Sequence, residues 1–473
     1  MSITQLHPGG WWIEPDRRFF VILWVTYFLL ALLFNAFTPM GEAPDELAHY
    51  QYVRMVYEEH RVPGFRDGLW EGHQAPLYYI AAASWAYLLN ALFGCGGRFD
   101  GVPTRLNPDF RKGNDLNFLT HNASERLSHW TCAEFSFHGL RMFSALLTLL
   151  SIVLTVLLLL EVLPASLTTV KLAATFVALL PSHVFMSTML NNDSLVNLLI
   201  VASLYCMARA LRTADPGRLV QALGTAAIAV ATKLSAIFLF PLLAFVPVMQ
   251  REMLRKVKEI RFTPTLALAL AAGVVLPAAV LLRNYLEWGD LFGVTALEKN
   301  MSLLKDAGMN PGNGGSIMDY YLREFPPEMV RMLLVSYGAI NFSDGPALIR
   351  LRAYGLAIGI GLVVSFTWQR GLLWRSAARA PLLLLILGFG LFFLTYLYPG
   401  YRYRWLQARY LFNQLPLLSI VAGIGITALW QEAKRAIPRL QDSVIVYTHY
   451  GFLLLMNLLV LISGVIEHLY RTI

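Results

Sequence analysis

Residues 19–38 read FFVILWVTYFLLALLFNAFT, and residues 39–50, which follow at once, read PMGEAPDELAHY. The first stretch carries no charge. As a helix it is long enough to cross a hydrocarbon core of about 30 Å at ~1.5 Å per residue. The second places Glu42, Asp45, Glu46 and His49 immediately beyond it. A membrane span that ends in a dense acidic cluster fixes both the fold class and the place to look for chemistry.

The rest of the chain extends that reading. Of 473 residues, 56% are hydrophobic and 14% charged, with mean hydropathy +0.53. One globular core cannot hide so much apolar surface, which excludes a soluble enzyme, a disulfide scaffold and a disordered chain. Apolar runs at 19–38, 138–160, 168–190, 193–208, 263–286, 350–368, 381–398, 410–430 and 444–467 each read as a span. Lys233 sits mid-way along 219–249, where a charge at the bilayer centre is costly, so that run reads as two short helices turning at Lys233. The expectation is an all-α polytopic membrane protein of about 11 transmembrane helices in one integral membrane domain, 1–473.

Net charge is +8, and the excess reports orientation rather than nucleic-acid binding. Basic loops at 209–218, 251–261, 369–380 and 431–443 belong in the cytoplasm. The N-terminus then lies inside and the C-terminus outside. Residues 39–137 form a first external loop with interfacial helices; 76–93 is apolar enough to span, but the interfacial reading keeps the basic loops inside and is preferred. Residues 287–349 form a second external loop, a candidate lid with glycines at 308, 312, 314 and 315. Cys95 and Cys132 flank one external polar stretch. A bridge between them needs an oxidising compartment, and spacing alone leaves bridge and free thiols both open.

The residues that carry chemistry cluster on the outer side. Asp45 and Glu46 fall in the first turn of a helix after Pro44, with His49 one turn beyond Asp45 on the same face. The bland reading is a helix cap on a membrane surface. Asp193, in Asn191-Asn192-Asp193-Ser194, lies between two apolar runs, where a plain turn competes with a functional intramembrane carboxylate. His183 reads as a packing residue rather than a metal ligand. Lys233, Arg283 and Arg409 are basic residues at the outer boundary, against the positive-inside rule. Lipid headgroups explain them blandly; a pocket for a phosphate explains them better, with Arg409 as its best fork. Carboxylate, phosphate clamp and outer face together suggest replacement of a phosphate on a sugar by a hydroxyl.

At this point the sequence resembles the bacterial type C membrane glycosyltransferases. It is similar to the mannosyl/aminoarabinosyl/arabinosyl transferase superfamily and to a related family with a Pro-Asp-Glu-x-x-His signature. The matching residues are Pro44-Asp45-Glu46-Leu47-Ala48-His49, Gln74-Ala75-Pro76-Leu77-Tyr78-Tyr79, Asn192-Asp193-Ser194, Thr232-Lys233-Leu234-Ser235, Arg283-Asn284 and Gln407-Ala408-Arg409-Tyr410, in family order from residue 42 to 411. The resemblance implies a GT-C-like bundle in the bacterial inner membrane, with the active site facing the periplasm. It implies a polyprenyl-phosphate-linked sugar as donor and transfer with inversion to a glycan, lipid or protein acceptor.

On that pattern Asp45 is the base, with Glu46 and His49 beside it. Lys233, Arg283 and Arg409 bind the donor phosphate. Asp193 is the second acidic site, which in some relatives holds a divalent metal (Mg or Mn); Asp45 and Asp193 would be its ligands here. Where many relatives have Lys-Pro-Pro, this chain has Gln74-Ala75-Pro76, which removes a cation and shifts phosphate binding toward Lys233 and Arg409. A flippase for a lipid-linked saccharide would share the clamp, but predicts repeated halves with matching broken spans, which the sequence does not display. A ligase using a polyprenyl diphosphate glycan is the other alternative.

Overall fold

The computed structural model describes residues 14–95, 97, 99–105, 107–108, 118–121, 130–250, 252, 255–256, 263–306, 316–334, 336–337, 340–341, 346–368, 376–403 and 407–466. The described residues are helical apart from connections and one two-residue antiparallel ladder, Ser336–Tyr337 with Ile340–Asn341. Helix α1 (Glu14–Phe37) shows why the sequence makes this fold. Leu23, Tyr27, Leu30, Ala31 and Phe34 recur at helical spacing and are buried, while Val21, Ile22, Val25, Leu29 and Leu33 are exposed on its other side. A helix apolar on both faces suits a protein interior on one side and lipid on the other.

Helices α2 (Glu46–Glu59) and α3 (Leu77–Phe93) follow and pack on each other. At 17 residues, α3 is short of the usual span, and its buried tyrosines face α2 and α4. The long α4 (Cys132–Val162) starts with a reciprocal cap, in which Thr131 Oγ1 accepts from the Glu134 amide and the Glu134 carboxylate accepts from the Thr131 amide. Cys95, just past α3, is disulfide-bonded to Cys132 at the start of α4.

The run 168–190 breaks into α5 (Leu167–Leu179) and α6 (Pro181–Ser187), bent by 49°. Pro181 has no N–H for the Val177 carbonyl four residues back. His183 Nδ1 donates to that carbonyl instead, at 2.7 Å, and Asn457 Nδ2 donates to the Leu179 carbonyl at 2.8 Å. His183 is therefore the hydrogen-bonded packing residue that the sequence suggested.

Next come α7 (Asp193–Thr213), α8 (Pro216–Thr232) and α9 (Leu239–Met249), with Lys233 in extended conformation where α8 ends. The expected turn at Lys233 is present, and a 3-10 turn, Leu234–Phe238, leads into α9. The chain continues as α10 (Pro264–Trp288), α11 (Val294–Asp306), α12 (Phe325–Leu334), α13 (Pro346–Trp368), α14 (Ser376–Tyr403), α15 (Leu415–Ala436) and α16 (Asp442–Leu459). Seven described helices are long and apolar enough to cross a membrane, eight if the bent α5–α6 pair is one span. Of the expected 11, those not among the seven are 168–190, which is bent, the two short segments of 219–249, and 350–368. The glycine-rich stretch of the candidate lid, 307–315, lies outside the described residues.

Small residues set the tightest helix crossing. A Cβ on Gly361 of α13 would lie 2.0 Å from the Gly425 carbonyl oxygen, and one on Gly425 of α15 would lie 2.6 Å from that of Ile358. Backbone meets backbone there, as at small-residue interfaces between membrane helices. Gly425→Leu should lower the thermal unfolding midpoint in detergent, since overpacking costs about 1–3 kcal/mol and the opposing atoms are main chain. Gly390→Leu, at a position open on all sides, is the control. A Gly425→Leu protein that melts with the control would contradict this packing.

Candidate active site

The site is built around a buried ion pair. Arg141, inside α4, and Glu46, at the start of α2, both have fully buried side chains. Arg141 Nε and Nη2 donate to the two Glu46 oxygens at 2.7 and 2.6 Å. The same guanidinium donates to the carbonyls of Thr38 at 2.5 Å and Pro39 at 2.8 Å, just past α1. Glu46 also accepts from the Leu190 amide at 2.9 Å and the Gly41 amide at 3.2 Å. One pair thus ties the end of α1, the start of α2, the middle of the bundle and the turn before α7. With four donors on it, Glu46 has no oxygen to spare for a substrate proton, and the structure separates it from Asp45.

Asp45 does not sit in the first turn as the sequence suggested. It is the residue before the helix, in left-handed conformation with φ 60°. Only glycine, asparagine and aspartate visit that region readily. Its side chain makes no cap to the helix and instead pairs with Arg409 Nη2. The Arg409 side chain is 5% exposed, whereas that of Asp45 is 30% exposed and open to a reactant. Lys233 Nζ meets Asp193 Oδ1 at 2.5 Å. Tyr410 joins the two pairs: Lys233 Nζ lies 5.8 Å and the Arg409 guanidinium carbon 5.2 Å from its ring centre. Four residues scattered from 45 to 409 in the sequence therefore form one cluster of two cations and two carboxylates.

Burial opposes charge on Asp45, but Arg409, with His49 and Lys233 behind it, outweighs burial and holds the carboxyl below its ordinary value. Burial dominates at His49 and pushes its imidazole below the ordinary range, toward the neutral form. Its Nδ1 is 2.8 Å from the Tyr79 hydroxyl. Burial likewise pushes His73 down to about 4.

Arg283 stands apart from the phosphate-binding group in which the sequence placed it. Its guanidinium donates to the carbonyls of Gln74 at 3.0 Å and of Pro63 and Gly72 at 2.7 Å, so it staples the first loop. The expected divalent metal would take Asp45 and Asp193 as its ligands, and in this structure both are ion-paired. Each carboxylate is already neutralised by its own cation, and the described residues contain no group of three or more His, Cys, Asp or Glu able to hold an ion.

Sequence reasoning missed Arg141, and named Glu42 in the acidic cluster without giving it a role. Arg141 was readable as a charge inside an otherwise apolar run, the signal that marks intramembrane function or pairing. Glu42 accepts from the Phe118 and Leu119 amides at 2.7 and 2.9 Å and pairs with His121 at 2.6 Å, pinning 118–121 beside the site.

The family model for dolichyl-phosphate-mannose-protein mannosyltransferases matches residues 113–286, a little over a third of the chain. This bears out the resemblance read in the sequence. No curated protein matches the chain. Among solved structures, ArnT from Cupriavidus metallidurans in the apo state is 14% identical with a TM-score of 0.47, over 96% of this chain and 74% of that one. The Archaeoglobus fulgidus oligosaccharyltransferase is 13% identical (TM-score 0.41), over 98% of this chain and 56% of its own. The arabinosyltransferase EmbB from Mycobacterium smegmatis is 11% identical (TM-score 0.45), over 99% of this chain and 42% of its own. The chain thus spans about half the length of the latter two.

Glu46→Gln should lower stability more than Asp45→Asn. Removing one partner of a buried pair typically costs about 3–5 kcal/mol, because the other charge is left uncompensated. Asparagine at 45 tolerates the left-handed backbone and can still accept from Arg409. Thermal unfolding of the two variants in detergent checks the order; the reverse order would contradict the division of roles between neighbouring carboxylates.

Proposed function

We propose that the protein is an inverting membrane glycosyltransferase of the GT-C type. It moves a sugar from a polyprenyl-phosphate donor to a hydroxyl on the outer face of the membrane. The observation that carries this reading is the Asp45–Arg409 pair standing beside Lys233–Asp193. Two cations held by carboxylates make a receptor for a phosphate, and one of the carboxylates is open enough to act as a base. The donor class is the one named in the matching family.

The donor phosphate takes Arg409 and Lys233 from their carboxylates. Asp45, released from Arg409, accepts the proton of the acceptor hydroxyl. The hydroxyl oxygen forms a bond to the anomeric carbon as the bond from that carbon to the phosphate oxygen breaks. The electron pair leaves with the polyprenyl phosphate, whose growing charge Arg409 and Lys233 stabilise. Base on one side and leaving group on the other make a single displacement, which inverts the carbon. The Cys95–Cys132 bridge supports the outer face, since such bonds persist in oxidising compartments, and the basic loops support the same orientation.

The Asp45–Arg409 pair gives the pH profile a signature. In free enzyme Asp45 is depressed by Arg409. Once a phosphate occupies Arg409, that depression weakens and the carboxyl becomes more basic. A base must be ionised, so activity falls on the acid side of its pKa. The acidic limb of kcat, which reports the bound complex, should therefore lie at higher pH than that of kcat/KM, which reports free enzyme. Asp45→Asn should lose about 10²–10⁴-fold in turnover while still binding undecaprenyl phosphate. Near wild-type turnover in that variant, or limbs in the opposite order, would refute the role of Asp45.

A further inference from the structure

Among the described residues near the site, Glu71 is a carboxylate with no ion-pair partner. Arg409 is matched by Asp45 and Lys233 by Asp193. Glu71 is the third acid: it is 7% exposed, and its Oε2 meets no donor. The charges of Asp45, Lys233 and Arg409 act on it.

The turn that carries Glu71 is held from several sides. Arg283 binds the carbonyls of Pro63, Gly72 and Gln74. Asn300 Nδ2 donates to the Trp70 carbonyl at 2.8 Å, and the Tyr52 hydroxyl to the Gln74 carbonyl at 3.3 Å. Asn192 Nδ2 donates to Gln74 Oε1 at 3.2 Å. That last bond ties the turn to a second orphan, for Asn192 is 1% exposed and its Oδ1 also meets no donor. Asn192 directly precedes Asp193.

Leaving a buried acceptor unsatisfied is costly, and Glu71 Oε2 and Asn192 Oδ1 are two such acceptors, on segments joined by the Asn192–Gln74 bond. They call for hydrogen-bond donors that arrive with a ligand. A cation is one source, but Glu71 is a poor partner for it: burial outweighs the surrounding charges and raises its carboxyl above the ordinary value, toward the neutral acid. A donor phosphate adds further negative charge and favours the neutral form again. A neutral acid and an amide together offer donors and acceptors to adjacent hydroxyls on a rigid ring.

We propose that Glu71, acting with Asn192, is the subsite that grips hydroxyls of the donor's sugar, opposite the phosphate grip of Arg409 and Lys233. This rests on the polyprenyl-phosphate reading above and adds where the sugar is recognised. It makes Glu71 a specificity residue rather than a base, and explains why Arg283 staples the turn instead of binding phosphate.

The test uses the full-length protein in detergent and two kinds of lipid: bare undecaprenyl phosphate, and a panel of undecaprenyl-phosphate hexoses and pentoses. Wild type should bind at least one sugar-bearing lipid more tightly than the bare one. Glu71→Ala should weaken that lipid roughly tenfold, the scale of a lost hydrogen bond, and leave bare undecaprenyl phosphate within about twofold. Glu71→Gln keeps a donor and an acceptor and should stay close to wild type. Asn192→Ala, expected to weaken the same lipid selectively, carries the test if Glu71→Ala does not fold. A Glu71→Gln protein as weak as Glu71→Ala would show that a cation occupies the subsite and overturn the proposal. So would a panel in which no sugar adds affinity, or an alanine variant that changes neither lipid or both equally. Wild-type protein that binds neither kind of lipid overturns the donor reading as well; binding that is intact but indifferent to Glu71 and Asn192 overturns the subsite alone.

Discussion

The Arg141–Glu46 pair is the contact on which the site depends. A guanidinium and a carboxylate withdrawn fully from water repel burial unless each hydrogen bond is made. Here they are: Arg141 reaches Glu46 and the carbonyls at the end of α1, and Glu46 also takes the amides of Gly41 and Leu190. Such a pair contributes little net stability over apolar packing, but it tolerates few alternatives. It requires the loop after α1, the start of α2 and the turn before α7 to meet at one point of α4. Asp45 is the residue before Glu46, and Asp193 lies three residues past Leu190. Fixing Glu46 therefore fixes the backbone at Asp45 and near Asp193.

Around that anchor this end of the bundle uses its remaining polar groups to hold its loops. Arg283 and Asn300 hold the first loop by its carbonyls, Glu42 holds 118–121 by its amides, and the Cys95–Cys132 bridge ties α3 to α4. Each of these groups is committed to a protein partner. What they leave uncommitted is the ion-paired cluster of Asp45, Arg409, Lys233 and Asp193, with Glu71 and Asn192 at its edge. The left-handed backbone at Asp45 fits this picture: a strained residue at a site is tolerated when its surroundings fix it on both sides.

The sequence reveals what depends on local physics. Apolar runs of span length became helices, and Lys233, too costly for mid-bilayer, marked the join between α8 and the segment that leads to α9. Asp45, Asp193, Lys233 and Arg409, read as candidates from their charge at the outer boundary, meet in one cluster. What needed long-range contacts was not legible. Glu46 and Asp45 are adjacent and chemically alike, and only Arg141, ninety-five residues away, separates their roles. Arg283 carries the same charge as Arg409, but the carbonyls it meets belong to a loop some two hundred residues earlier. The break at Pro181 was hidden because 168–190 as a whole is apolar enough to read as one span, and the residues that repair it, His183 and Asn457, lie on separate helices. Glu71 carries no motif at all; its interest comes from the partner it lacks.

The central claim is that a donor phosphate and Asp45 compete for Arg409. A density map of the protein with undecaprenyl phosphate bound tests it most directly. The account predicts the phosphate between the Arg409 guanidinium and the Lys233 ammonium, with the Asp45 carboxylate released from Arg409 and turned toward the open side of the site. A phosphate bound elsewhere, with the Asp45–Arg409 pair intact, would contradict it.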